Sequence, residues 1–387
     1  MKFELSEDQI LIRDSVRRYC QNKYRFTDRL EAMRSPEGFN HEHWAAYAQF
    51  GWLGISLPED VGGFGGSAIE MALILEEFGR FLVLEPFLSC AILAAQVVNE
   101  AGHSEQRKGL LPAVIQGKAM LALAHEETEA RGDVQFVETR AERANGCYVL
   151  TGQKSHVLGG GSADMLIVSA RTSGGKRDRD GVSLFLLRPN APGISRRTYR
   201  TVDGGYAADL ALCNLNVGTE ALLGSEGRGI SAIENAVDQA IVGLCAEAVG
   251  GMDQVITITR DFLKTRRAYG TTLSTFQALQ HRLADMSVEL DLSRSMLYRV
   301  LAALTWTDAD ARHRAVSGAK ALVGRSARFV GSCGIQLHGG QGMSEDCMVG
   351  HLFKRLTVIE ALFGSSDFHL NQYSRRSWPM SSGHFSN

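Results

Sequence analysis

The 387-residue chain has no excess of either charge, with 41 Lys+Arg against 43 Asp+Glu. It therefore offers no electrostatic surface to a polyanion, and no nucleic-acid partner is expected. It also lacks any C-x-x-C pair. Seven cysteines (Cys20, Cys90, Cys147, Cys213, Cys245, Cys333 and Cys347) are scattered and odd in number, which reads as reduced, buried thiols in a cytoplasmic protein. The opening M-K-F-E-L-S-E-D-Q is acidic and has no apolar centre, unlike a secretion signal. No uninterrupted apolar run approaches the ~20 residues that span a bilayer, so no membrane is expected either. Internal repeats and low-complexity segments are missing. The glycine-rich L-P-E-D-V-G-G-F-G-G (Leu57–Gly66) follows no strand and contains no Gly-Lys-Ser/Thr, which makes it a structural loop rather than a phosphate loop. His41-x-His43 has no further ligands nearby, so no metal site is expected.

What is present divides into three zones, expected as domains at 1–120, 121–228 and 229–387. In the first, Ser6 is placed to cap a helix whose first turn carries Glu7 and Asp8, where the helix dipole favours acids. Leu11, Ile12, Val16 and Tyr19 continue it at helical spacing, and a second helix is expected from Ser67 through Met71, Leu75 and Phe78 to Gly79. In the second zone the period shifts toward two, in Cys147–Leu150, Met165–Ala170, Val182–Leu187 and Ala208–Val217, with turns at Asn145-Gly146 and Gly174-Gly175. Lys176–Asp180 is mixed in sign and reads as a solvated loop. The third zone is helical again: Phe276, Leu279, Leu283, Met286, Leu290, Leu297 and Val300 keep three-four spacing with Ser293 interrupting, and Asp308 or Asp310 starts another helix through Val316, Leu322 and Val330. The fold class is α+β: an N-terminal helical domain, a middle antiparallel β-domain and a C-terminal four-helix bundle. The tail after Trp378 reads as disordered.

Several motifs carry a family resemblance over essentially the whole length. They are F-E-L-S-E-D-Q (Phe3–Gln9), W-L-G-I-S-L-P-E-D-V-G-G-F-G (Trp52–Gly65), L-T-G-Q-K (Leu150–Lys154), R-R-A-Y-G (Arg266–Gly270), F-Q-A-L-Q-H-R-L-A-D-M (Phe276–Met286) and Q-L-H-G-G-Q-G (Gln336–Gly342). In this order and spacing the chain resembles an acyl-CoA dehydrogenase. The resemblance implies FAD, an acyl-CoA substrate oxidised to a trans-2-enoyl-CoA, an electron-transfer flavoprotein as acceptor, and a tetramer built as a dimer of dimers. That chemistry needs a carboxylate to remove the α-proton while the β-hydrogen leaves with its electron pair, and a dry site that stabilises the enolate.

The resemblance also shows what is missing. Relatives carry a glutamate directly before the glycine of the closing segment, where this chain has Phe363 before Gly364. A minority carry it on the first long C-terminal helix, at positions that register here with Ala240 and Ile241. No catalytic residue is therefore assigned. Asp238, Glu247 and Glu360 are the possible substitutes, but Glu247 lies roughly 10 Å along the helix from the expected place. They read better as pairing or surface groups. The flavin face is eroded too. His156 and Leu158 stand for the family's tryptophan and threonine, and His125-Glu126-Glu127 for its threonine-glutamate-proline. His125, Glu126 and His156 read as satisfied polar residues in a remodelled pocket.

The dinucleotide end is kept. By resemblance, Arg266, Tyr269, Gln277, Gln336, Gly339 and Gly340 reach a neighbour's FAD, and Gly364 and Ser365 retain part of the adenosine-side segment. Arginine's fork suits a phosphate, and the glycines permit close backbone approach. Ser169–Gly181 and Val349–Ile359 resemble the small subunits of pimeloyl-CoA dehydrogenase and of steroid side-chain dehydrogenases. The expectation is a non-base-bearing subunit of an α2β2 enzyme acting on bulky or ω-carboxylated acyl-CoAs, with a homologous large subunit bearing the base. Two rivals stand beside it: a self-sufficient homotetramer with an unusual base such as Glu247, and a non-catalytic scaffold that kept the fold.

Overall fold

The computed structural model describes residues 4–377; Phe3 and the tail after Trp378, expected to be disordered, lie outside them. The N-terminal helices are α1 (Glu7–Lys23), α2 (Phe26–Ala32), α3 (His41–Gln49), α4 (Ala68–Phe81), α5 (Ala95–Ala101) and α6 (Ser104–Ile115). A fully buried π-helical stretch, Phe87–Ala94, leads into α5. Ser6 does cap α1, and reciprocally: its Oγ accepts from the Gln9 N–H at 3.2 Å, and Gln9 Oε1 accepts from the Ser6 N–H at 3.0 Å. At the start of α4, Ser67 Oγ accepts from the Ile69 N–H at 3.1 Å and Glu70 Oε2 accepts from the Ser67 N–H at 2.7 Å; the helix runs two residues past Gly79.

The middle region is one eight-stranded sheet, built of β1 (Leu121–Ala124), β2 (Arg140–Ala144), β3 (Cys147–Leu158), β4 (Met165–Arg171), β5 (Val182–Leu187), β6 (Ile194–Arg200), β7 (Tyr206–Val217) and β8 (Leu222–Leu223). The order is β6-β7-β3-β2-β4-β5-β8, and β1 pairs with β4. Most pairings are antiparallel, as expected, but β1 and the end of β2 lie parallel to β4. The physical reason is visible in β1: all four residues, L-A-L-A, are buried, so the strand is covered on both faces, the setting in which parallel strands occur. Leu150, Leu166, Val168, Phe185, Leu210 and Leu212 form the core of this region, at about 1.5–3 kcal/mol per buried large side chain.

The Lys176–Asp180 loop is not left to solvent alone. The buried Arg171 guanidinium donates to the carbonyls of Lys176, Asp178 and Asp180, and to those of Gln135 and Val137 on a second loop. Five acceptors around one fork fix both loops to the end of β4.

C-terminal to the sheet come α7 (Ile230–Thr265), the short hairpin β9 (Arg267–Ala268) and β10 (Thr271–Thr272), then α8 (Gln277–Ala303), α9 (Ala309–His338), α10 (Met348–Ala361) and α11 (Ser366–Ser377). Asp308 caps α9, its Oδ1 accepting from the Ala311 N–H at 3.1 Å. On α8 the expected stripe is buried from Met286 through Leu290, Leu297 and Val300, while Phe276 lies outside it, exposed at the helix start. Ser293 is buried within the stripe at no polar cost, because its hydroxyl donates to the Glu289 carbonyl at 2.8 Å. Among the described residues α7 is the one helix long and apolar enough to cross a membrane, yet 78% of its apolar window is buried in the protein, as in a core helix. Contacts divide the chain into two units. One comprises Met1–Ile10, Leu75–Leu82 and Ile241–Asn387; the other comprises Leu11–Ile74 and Val83–Ala240.

Replacing Arg171 with Met leaves five loop carbonyls without their shared donor. We expect a loss of about 2–4 kcal/mol in urea unfolding, with earlier proteolytic cleavage between residues 172 and 181 than in the parent.

Candidate functional site

Six of the residues assigned to the dinucleotide end come to one end of the C-terminal unit. The Phe262 ring on α7 stacks on His338 of α9, centroids 4.4 Å apart and planes at 23°. Arg266 follows one turn after Phe262, its N–H bonded to the Phe262 carbonyl at 2.8 Å. Gln336, Gly339 and Gly340 flank His338. Arg282 of α8 contacts Cys333 Sγ at 3.6 Å, which brings the first turns of α8, and so Gln277, beside the same end of α9. Arg266, Gln277, Gln336, Gly339 and Gly340 are all exposed. A Cβ at Gly339 or Gly340 would meet nothing within 4 Å, so the backbone here faces open space. Gly339 ends α9 with φ +60° and ψ −142°, a conformation that side chains disfavour. Tyr269 occupies the tip of the β9–β10 hairpin at φ +53° and is 94% exposed, presented rather than packed.

Gly364 and Ser365 do not join that cluster. They form the turn between α10 and α11, where Gly324 of α9 faces the Ser366 hydroxyl, and Gly324 lies roughly 20 Å along α9 from Gly339. Gly364 is buried, and Ser365 Oγ accepts from the Phe368 N–H at 3.3 Å. The two sets of residues cannot grip one end of one nucleotide from within a single chain.

The partners of two substitute carboxylates are defined. Glu247 is buried and held by Arg355, Nε to Oε1 at 2.6 Å and a second nitrogen to Oε2 at 2.7 Å. Both carboxylate oxygens are thereby occupied by one guanidinium. Glu360 Oε1 accepts from the Ser366 N–H at 2.9 Å. Asp238 is buried.

In the other unit, the segments aligned with the flavin face are satisfied from within. His125 Nε2–H donates to the Val134 carbonyl at 2.9 Å, which leaves Nδ1 to accept from Ser169 Oγ, also at 2.9 Å. Burial, and then the nearby Lys154 charge, push the imidazole down to about 3, so it is neutral. Lys154, fully buried, donates to Glu127 Oε1 at 2.7 Å, to Ser169 Oγ at 3.0 Å and to the His125 carbonyl at 3.2 Å. Burial would raise the Glu127 carboxyl, but Lys154 and the Thr139 donors outweigh it and hold Glu127 below its usual range. Burial raises Glu126, whose Oε1 accepts from the Gly132 N–H.

His156 sits at a bulge in β3 with φ +52°. Its N–H donates to Asp209 Oδ1 at 3.1 Å, and Nδ1 meets the Tyr199 hydroxyl at 3.3 Å. Tyr199 donates its own proton to Asp209 Oδ1, so His156 carries its hydrogen on Nδ1. Near α3, His43 Nδ1 meets the Tyr19 hydroxyl at 2.7 Å and His41 pairs with Glu37; among the described residues no group of three His, Cys, Asp or Glu can hold a metal.

The Lys154–Glu127 pair and the Glu247–Arg355 pair escaped the sequence reading. Lys154 did leave a signal: alternation from Tyr148 and Leu150 points residue 154 inward, where an ammonium needs a partner. Glu247 and Arg355 lie 108 residues apart, and nothing local announces them.

Family comparisons match these regions in order. The acyl-CoA dehydrogenase N-terminal domain matches residues 6–118, the middle domain residues 122–216 and the C-terminal domain residues 227–378. The chain belongs to the acyl-CoA dehydrogenase family. Its cofactor is accordingly FAD, and an acyl-CoA thioester fits the family's chemistry. The chain is similar to the NADH-dependent acryloyl-CoA reductase of Anaerotignum propionicum, 27% identical over 95% of this chain and 94% of the relative. It is also similar to the mitochondrial isobutyryl-CoA dehydrogenase of Dictyostelium discoideum, 29% identical over 93% of this chain and 87% of the relative. Among solved structures it resembles a variant of the Tcur3481–Tcur3483 steroid acyl-CoA dehydrogenase, with TM-score 0.85 and 28% identity over 96% of this chain and 98% of that one. The ChsE4–ChsE5 complex of Mycobacterium tuberculosis shares the fold, with TM-score 0.88 and 22% identity over 99% and 100% of the two chains. Arg266, Gln277, Gln336, Gly339 and Gly340 together present a cation, amide donors and open backbone on one exposed surface.

Because His125 is neutral when folded and ordinary when unfolded, the unfolded chain binds the extra proton between pH 6.5 and about 3. Stability from this group is therefore present above pH 6.5 and lost as the pH falls toward 3, by up to about 5 kcal/mol. His125→Asn should flatten that part of the acid-unfolding profile, measured by urea midpoints at stepped pH.

Proposed function

We propose that this chain is the non-base-bearing subunit of a heteromeric, FAD-dependent acyl-CoA dehydrogenase in the cytoplasm. It assembles as α2β2 with a homologous large subunit that supplies the carboxylate, and the complex passes electrons to an electron-transfer flavoprotein. One observation carries this reading: Arg266, Gln277, Gln336, Gly339 and Gly340 lie exposed at one end of the C-terminal unit, while Ala240, Ile241 and Phe363 stand at the positions that align with the family's base. The polar groups aligned with the flavin face bond to one another, which leaves few donors for an isoalloxazine. The steroid dehydrogenase similar to this chain is named for two polypeptides, which supports a two-chain assembly. The substrate class we assign is a bulky or ω-carboxylated acyl-CoA, of the steroid side-chain or pimeloyl kind.

In α,β-desaturation the partner's carboxylate takes the α-proton and the β-hydrogen leaves with its electron pair. Bound FAD supplies the sink for that pair. This chain's part is binding: Arg266 pairs with a phosphate, Gln277 and Gln336 donate amide hydrogens, and Gly339 and Gly340 let the backbone approach. Glu247, locked to Arg355, gives the homotetramer reading little support.

Co-expression with the partner should yield a yellow complex carrying half as many flavins as chains. Arg266→Ala should weaken FAD retention by roughly 10- to 100-fold, the scale of one charge-assisted hydrogen bond. Phe363→Glu should add no turnover, because the partner bears the base. A partner that binds FAD stoichiometrically and oxidises substrate without this chain would overturn the reading.

A further inference from the structure

The near-zero net charge of the chain hides a local imbalance on β6. This strand is one end of the sheet: it pairs antiparallel with β7 and, among the described residues, with no strand on its other side. Ser195, Arg196, Arg197, Thr198 and Arg200 are all exposed. An open strand edge of this length invites another strand, and proteins commonly spoil such an edge with a proline or a bulge. β6 has neither, and its register with β7 runs unbroken from Ile194 to Arg200. Its charges fall on two faces, and the two faces differ.

Alternation puts Arg197 and Tyr199 on one face, and Arg196, Thr198 and Arg200 on the other. The first face is settled: Arg197 pairs with Asp209 Oδ2 at 2.7 Å, and Tyr199 donates to Oδ1 of the same carboxylate at 3.1 Å. On the second face, among the described residues, neither arginine has a carboxylate partner; neutral oxygens hold both. Arg196 donates to the carbonyls of Gly160 and Gly161, each at 3.0 Å. These belong to the run Gly159-Gly160-Gly161, whose last member lies against Thr198: a Cβ there would fall 2.7 Å from Thr198 Cγ2. Arg200 donates to the Tyr206 hydroxyl at 3.1 Å, its guanidinium 5.6 Å from the centre of that ring, and Tyr206 donates on to the Ser35 carbonyl at 3.1 Å. Neutral acceptors fix the two forks without cancelling their charge, and each fork keeps N–H donors to spare. The two arginines stand four residues apart on one extended strand, roughly 13 Å.

We propose that β6 is a docking edge for an acidic, extended segment of a partner protein, which pairs its backbone with the strand and sets carboxylates opposite Arg196 and Arg200. Charge complementarity selects the occupant: two uncompensated arginines share one face, at a spacing that carboxylates four residues apart match in a strand. A helix would set the same carboxylates only about 6 Å apart along its axis. Backbone pairing supplies affinity, and the side chains facing each other across the strands supply register. Arg197, spent on Asp209, takes no part.

The test uses the purified full-length protein and dye-labelled peptides, read by fluorescence anisotropy at low salt, where charge pairs are least screened. The peptide S-E-V-T-V-E-S carries its two glutamates four apart, on one face of a strand. The isomer S-E-V-T-E-V-S carries them three apart, on opposite faces. The first should bind about 10-fold more tightly than the isomer, and N-methylation of its V-T-V amides should abolish binding. Arg196→Gln and Arg200→Gln should each weaken it roughly 5- to 20-fold, the scale of one charge-assisted pair, while Arg197→Gln binds like the parent. Thermal midpoints are measured alongside; Arg200→Gln, which leaves no backbone carbonyl without its donor, decides the point should Arg196→Gln unfold. Equal binding of the two isomers, equal loss in Arg197→Gln and Arg200→Gln, or an undiminished N-methylated peptide would each reduce the effect to bulk charge and overturn the proposal. So would the absence of saturable binding at millimolar peptide, or arginine-dependent binding to phosphatidylglycerol vesicles in its place.

Discussion

Close approach along α9 is the constraint on which the C-terminal unit depends. Small residues let neighbouring helices come against its backbone: a Cβ at Gly324 would fall 2.5 Å from Ser366 Oγ, and one at Gly334 would fall 2.5 Å from the Val255 side chain. Packing at that distance brings Lys320 within reach of the α10 carbonyls and seats His338 against Phe262. Larger residues there would force the helices apart, because close-packed interiors accommodate extra atoms only by displacement. The exposed surface around Gly339 and the turn between α10 and α11 both follow from one helix that its neighbours can approach.

The other unit solves a different problem, that of burying charge. Lys154, Glu127, His125, Ser169 and Thr139 form one hydrogen-bonded network beneath β3, with each donor matched to an acceptor. Such a network is stable only when it is complete, since a half-satisfied one costs more than an apolar core. Completeness has a functional consequence. Groups spent on one another are not free for a ligand, and that separates this region from the open surface around Arg266.

Much of this was legible locally. The caps at Ser6, Ser67 and Asp308 and the α8 stripe from Met286 to Val300 come from short-range periodicity and side-chain chemistry. The missing carboxylate at Phe363 is a plain fact of the chain once the closing motif is placed. The parallel setting of β1 was not legible, because four apolar residues look alike in either direction. The partners of Glu247 and Lys154 were hidden by separations of 108 and 27 residues. The distance along α9 between Gly339 and the turn that holds Gly364 and Ser365 was likewise not legible.

The sequence by itself determined the element types, the family and the fact that Phe363 stands before Gly364 in the closing segment, because these depend on residue identity and spacing within a few turns. Only the tertiary structure decided which carboxylates are locked in pairs, which imidazoles are neutral, and that Gly364 and Ser365 lie apart from the residues around Gly339. Those outcomes depend on burial and on contacts between distant segments, and no local pattern encodes which two helices will meet.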